Sequence, residues 1–138
     1  MKSQFQFSDP ELTKIEFGVN SNFQDTEDQE VQMKMDLSVD VEMVGETGNE
    51  AKVSLTVCLG EEGDDFPFCL TARESAFFRW AVGQYEKDVL DKLLYQNAPS
   101  LLLSYLRPII VQITTASPFN TYNLPFINFT HHNSKRHD

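Results

Sequence analysis

The segment Asn97–Phe129, NAPSLLLSYLRPIIVQITTASPFNTYNLPFINF, decides how the rest of the chain is read. Asn97 can cap a helix, and Pro99 sits early in it, where a missing N–H is tolerated. From Leu101 to Ile113 almost every position is apolar, with Ser104, Arg107 and Gln112 as a narrow polar stripe. An ordinary surface helix needs one apolar stripe about 100° wide. This helix has much more, so it must be covered on more than one side. A chain of 138 residues has few elements for that. The expected cover is a partner subunit, reached through Leu102, Leu106, Ile109 and Ile113. Pro108 removes a hydrogen bond inside the helix at a cost of about 3 kcal/mol, so a kink is expected near Ser104–Arg107. Beyond Ser117-Pro118-Phe119 the chain reads as an extended tail.

Working backwards, Tyr85–Gln96 reads as a short amphipathic helix, broken from the long one at Asn97-Ala98-Pro99 because a residue before proline is pushed out of the helical region. Upstream the period changes from 3.6 to 2. Val31, Met33, Met35, Leu37, Val39, Val41 and Met43 alternate with polar residues, the mark of a strand with one dry face. Gly45–Asn49 is a hairpin connection. Ala51, Val53, Leu55, Val57 and Leu59 form the next strand. After the Gly60–Asp65 turn, Phe66, Phe68, Leu70 and Ala72, then Ala76, Phe78, Trp80 and Val82, form a fourth strand with an irregularity near Arg73–Ser75. A first strand spans Leu12–Phe23, and Asn20–Gln29 is a polar connection. Placing the apolar residues on one face pairs Val57 with Leu70 and Leu59 with Phe68. The same register sets Cys58 opposite Cys69 as two thiols. The fold class expected is α+β, a four-stranded antiparallel sheet with a short and a long helix packed on one side. One domain fills residues 1–138, with 1–11 and 130–138 as flexible ends.

The formal net charge of −10 argues against a nucleic-acid or anionic-membrane partner. No 18-residue apolar run and no signal-like N-terminus are present, so no membrane insertion and a cytoplasmic location are expected. No phosphate loop, HExxH or G-x-S-x-G motif occurs. His131, His132 and His137 lie in a short polar terminus and read as solvated. Glu61-Glu62 and Asp64-Asp65 lack the alternating spacing of a calcium loop. No enzyme, metal or cofactor is expected. Aromatic residues are the remaining signal: 11 Phe, 4 Tyr and 1 Trp. Phe77 falls on the face opposite Phe78 and Trp80, and apolar area that a chain cannot cover marks a binding site.

Tyr105 and Arg107 on the helix, Phe119 in the following turn, and Leu124, Pro125, Asn128 and Phe129 in the tail resemble the SecB family of protein-export chaperones. Leu59-Gly60-Glu61-Glu62 is similar to that family's Leu-Gly-Glu-Glu turn, and Ile15-x-Phe17 to its first strand. The resemblance covers roughly Ile15–Phe129. It implies an ATP-independent holdase for unfolded or preprotein clients, assembled as a homodimer or homotetramer. The client groove then lies between the first strand connection and the helical and C-terminal layer, with Phe17, Phe23, Phe77, Trp80, Phe119, Tyr122 and Phe126 as candidates. Leu59, Glu61 and Glu62 are the implied dock for the motor ATPase SecA, although the family's acidic first-strand positions fall here on Lys14 and Gly18. The resemblance also implies a further C-terminal helix, which the short, polar 130–138 segment is not expected to form. The alternative is an oligomeric adaptor with the same fold that binds one specific partner or an antitoxin client.

Overall fold

Alternating apolar residues build the sheet strand by strand. In the computed structural model, which describes residues 5–24, 33–63, 65–119 and 121–129, the strands are β1 (Gln6–Phe7), β2 (Glu11–Val19), β3 (Met35–Met43), β4 (Glu50–Leu59) and β5 (Phe68–Arg79). All pairings are antiparallel, in the order β3–β4–β5, and β1 and β2 lie end to end along the far edge of β5. Five strands thus make a sheet four ribbons wide. Ser8 holds the junction between β1 and β2: its N–H donates to the Phe77 carbonyl and its Oγ accepts from the Phe77 N–H, both at 2.9 Å. Pro10, which has no N–H to give, follows it.

Residues 5–11 are therefore placed, against the expectation of a loose N-terminus. The Phe5 ring stacks on Phe78 at 5.5 Å and on Trp80 at 6.1 Å. The register between β4 and β5 also differs from expectation. Leu59 faces Leu70, Val57 faces Ala72, and Cys58 faces Thr71 instead of Cys69. A slip of two residues keeps every side chain on its expected face, so alternation alone cannot detect it. Both cysteines are free thiols. Between β4 and β5 the pairing runs without a break; the irregularity lies on the other side of β5, where Thr13 of β2 is the extra residue between Leu12 and Lys14. Its hydroxyl turns to the outer face and hydrogen bonds with Ser75 Oγ, which also bonds Ser54 Oγ at 2.8 Å.

The helical part runs from residue 87 to residue 115 without interruption. Helix α1 (Lys87–Lys92) passes through a wide π-type turn at Leu93–Asn97 into α2 (Ala98–Thr115). The expected break at Asn97 is absent, since Asn97 itself is helical. A proline ring clashes with the carbonyl four residues back, and a π turn widens the backbone at that point. The Ala98 N–H accordingly donates to the Leu93 carbonyl, five residues back. Helix α2 then continues through Pro108.

Helix α2 lies over β4 and β5. Leu102, Leu106 and Ile110, all 0% exposed, meet the apolar face carrying Val53, Leu55, Val57, Leu70 and Ala72. Leu102 and Leu106 are thus core of the subunit itself, which corrects their expected place at an interface between copies. Position i, i+4, i+8 spacing puts the three on one side of the helix. Glu74 occupies the same face of the sheet, opposite Leu55 on β4 and Leu12 on β2. It is 3% exposed, and its Oε1 has no hydrogen-bond partner among the described residues. Burial, and secondarily the Glu11 charge, raise its pKa above the ordinary 4.5.

Two outcomes follow for stability. Leu106→Ala lowers unfolding free energy by about 2–5 kcal/mol, measured by urea denaturation, whereas Lys87→Ala at an exposed position of α1 changes it by only about 0.5 kcal/mol. For Glu74, folding favours the protonated form, so its contribution is complete below its ordinary pKa and is lost as pH rises through the raised one. Glu74→Gln therefore gains on wild type as urea midpoints are followed from about pH 4 to about pH 8. A gap independent of pH would show that this carboxyl does not titrate abnormally.

Candidate functional site

The polar connection after β2 and the tail after α2 meet at one end of the sheet. Asn20 fixes that connection. Its N–H donates to the Pro67 carbonyl at 3.0 Å, and its side-chain amide donates to the carbonyls of Glu61 and Phe66 at 2.9 and 2.7 Å. Phe68, buried at the start of β5, is the hub: Phe17 of β2 lies 5.4 Å from it and Tyr122 of the tail 6.4 Å, edge on. Phe23 and Phe119 meet edge to face at 5.8 Å. Burial raises the Tyr122 phenol pKa, so the ring enters this end as a neutral, half-buried body.

Two of the seven expected aromatic residues stand elsewhere. Trp80 is buried at the opposite end of β5 under Phe5, and Phe77 is exposed on the outer face, with the Lys52 ammonium 6.0 Å from its ring. Nine residues of strand separate Phe68 from Phe77, about 30 Å at the usual rise, so they do not share a groove with the rest. Phe17, Phe23, Phe119 and Tyr122 converge at the Phe68 end, while Phe126 projects outward further along the tail.

Beside them runs an apolar ledge that strand alternation showed without marking it as a site. Leu12, Ile15 and Val19 point to the helix side of the sheet, yet remain 40%, 40% and 41% exposed. The reason is lateral. Helix α2 spans β4 and β5, and β2 lies beyond its cover at the sheet edge. The signal available in the sequence was an alternating first strand in a chain with only one long helix to cover four ribbons.

The tail has no regular secondary structure over 121–128, and α2 side chains hold it instead. Thr114 Oγ1 accepts from the Tyr122 N–H at 2.9 Å, and the Thr115 and Thr121 hydroxyls bond at 2.7 Å. Arg107 donates from Nη1 to the Leu124 carbonyl at 2.7 Å and from Nη2 to the Pro125 carbonyl at 3.0 Å. Leu124, Ile127 and Phe129 are buried, while Phe126 between them is 87% exposed.

Of the residues expected to dock a partner, Leu59 is fully buried beneath its own core and is unavailable. Glu61 and Glu62 are exposed, and Glu61 pairs with Lys34, whose pKa it raises. On the outward side of α2, Ile109 is half-buried and stands with Tyr105, Pro108 and Gln112 on one helix face, whereas Ile113 packs partly against the core. The histidines at 131, 132 and 137 lie outside the described residues. Among the described residues no cluster of His, Cys, Asp and Glu suits a metal ion, and no helix is long and apolar enough to cross a membrane.

By sequence, no curated protein matches the chain. Among solved structures, a SecB-like chaperone of Mycobacterium tuberculosis, in complex with a ChAD peptide from the HigA1 antitoxin, superposes with a TM-score of 0.66 at 13% identity, covering 90% of this chain and 91% of that one. At that identity the similarity is one of fold. A protein of unknown function from Streptococcus agalactiae reaches a TM-score of 0.47 at 9% identity over 89% of this chain and 98% of its own, too low to carry an argument. The family model for the preprotein translocase subunit SecB matches residues 14–137. With the sheet, the long helix and the clamped tail in the order described, the chain belongs to the SecB family.

Proposed function

We propose that the protein is an ATP-independent holdase that binds unfolded or pre-secretory polypeptides along the open side of β2 and the tail aromatics. The observation that carries this reading is the exposed row Leu12, Ile15 and Val19 running towards Phe17, Phe23, Phe119 and Tyr122, with Phe126 exposed further along the tail. An unfolded client offers short apolar segments without fixed shape. A long, shallow apolar strip with aromatic rims can hold such segments in many registers, and several linked strips in an oligomer turn weak contacts into avidity. The net charge of −10 keeps such a surface soluble and favours basic stretches. Assembly into a homodimer or homotetramer uses the outward face Tyr105, Pro108, Ile109 and Gln112 of α2. Docking on SecA rests in this reading on Glu61 and Glu62.

A second reading is a dedicated chaperone or adaptor with one polypeptide partner, such as an antitoxin segment. It is favoured by the antitoxin peptide bound to the Mycobacterium tuberculosis protein.

At one assembly per denatured chain and without ATP, the holdase suppresses the light scattering of a chemically denatured enzyme diluted into buffer. Absence of suppression, together with stoichiometric capture of one polypeptide, selects the dedicated reading. In static light scattering, Tyr105→Glu lowers the assembled mass while the circular dichroism spectrum stays native; an unchanged mass removes this face from the interface.

A further inference from the structure

Phe126 combines two properties that rarely occur together. It is 87% exposed, yet the residues on either side are fixed: Leu124 and Ile127 are buried, and the carbonyls of Leu124 and Pro125 both end on one guanidinium. Exposed phenylalanines on loose chain collapse onto the nearest apolar surface. This one is held off it.

The hydrogen bonding explains how. The Leu124 and Pro125 carbonyls lie in a segment without sheet or helix partners, and both accept from Arg107. Pro125 contributes no N–H and sets its own φ, so the turn cannot satisfy itself locally. Arg107 presents two N–H groups in a rigid planar fork that fits two neighbouring acceptors, which a lysine ammonium on a flexible stem does not reproduce. It is also the only cationic side chain on α2, and that helix is fixed in turn by Leu102, Leu106 and Ile110. A rigid chain of contacts therefore runs from the sheet through α2 and Arg107 to Phe126.

We infer that Arg107 is a positioning residue for polypeptide binding: its bidentate hold on the Leu124 and Pro125 carbonyls presents Phe126 as a preformed apolar contact for the client. The inference rests on the holdase reading and adds to it the device that holds one exposed aromatic of the tail ready for the client. Ordering that segment before the client arrives removes an entropic cost from binding.

The test uses the full chain and a permanently unfolded probe, reduced and carboxymethylated α-lactalbumin, in a double-mutant cycle of Arg107→Lys and Phe126→Ala. Each single change weakens binding about tenfold, and the double variant is no weaker than Phe126→Ala alone, because the arginine acts through the ring. Hydrogen exchange over 121–129 rises in Arg107→Lys while the sheet stays protected. Full additivity of the two affinity losses would make Arg107 a general structural brace and overturn the inference. Undiminished affinity in Arg107→Lys overturns it too and leaves the holdase reading standing. Failure of the wild-type protein to bind the probe removes both.

Discussion

The contact between one row of α2 and the middle of the sheet governs the rest of the molecule. Leu102, Leu106 and Ile110 are fully buried against β4 and β5, and each such leucine or isoleucine contributes about 1.5–3 kcal/mol by leaving water. A single helix about 10 Å wide covers two strands spaced about 4.8 Å apart, not four. Centring α2 on β4 and β5 therefore leaves β2 bare on its inner side. The apolar ledge is a geometric consequence of having one long helix for a four-ribbon sheet. The tail, tied back to α2 by Thr114, Thr115 and Arg107, borders that gap without filling it.

The two faces of the sheet divide the work. The inner face holds the core and, at its edge, the apolar ledge. The outer face is mostly polar, with Phe77 its exposed aromatic; Ser54, Ser75 and Thr13 are linked there through hydroxyls, and Arg73 Nε donates to Thr56 Oγ1 at 3.0 Å. Lys14 pairs with Glu16 there at 3.1 Å, so the β2 side of that face carries both signs of charge. Glu74 is the exception, a carboxyl turned into the apolar side with one oxygen that has no hydrogen-bond partner among the described residues.

The sequence made the faces legible but not the registers. Strict alternation in β3, β4 and β5 assigns each residue a side, and those sides hold throughout, including Phe77 opposite Phe78. The pairing of β4 with β5 slipped by two because period-2 patterns are blind to even shifts, and Cys58 lost its presumed partner with it. On α2 the difficulty was the opposite. The narrow polar stripe of Ser104 and Gln112 marks the outward side, but the apolar rows flanking it are so alike that the pattern does not say which one meets the sheet, and the row of Leu102 and Leu106 is the one that does. Of the candidate aromatics, Phe17, Phe23, Phe119 and Tyr122 lie together at one end of the sheet, while Trp80 lies at the other, where its stacking partner, Phe5, sits in a segment too short to read as structure. The hold of Arg107 on the tail needed coordinates, since its acceptors are backbone carbonyls with no side-chain signature.

The central claim is that the surface left uncovered by α2 receives polypeptide. Hydrogen exchange of the wild-type protein with and without an excess of unfolded probe tests it most directly. The account requires new protection at 11–24 and 119–129, with the β3–β4 hairpin unchanged. Protection confined to that hairpin or to the outer face, with the ledge still exchanging freely, would contradict it.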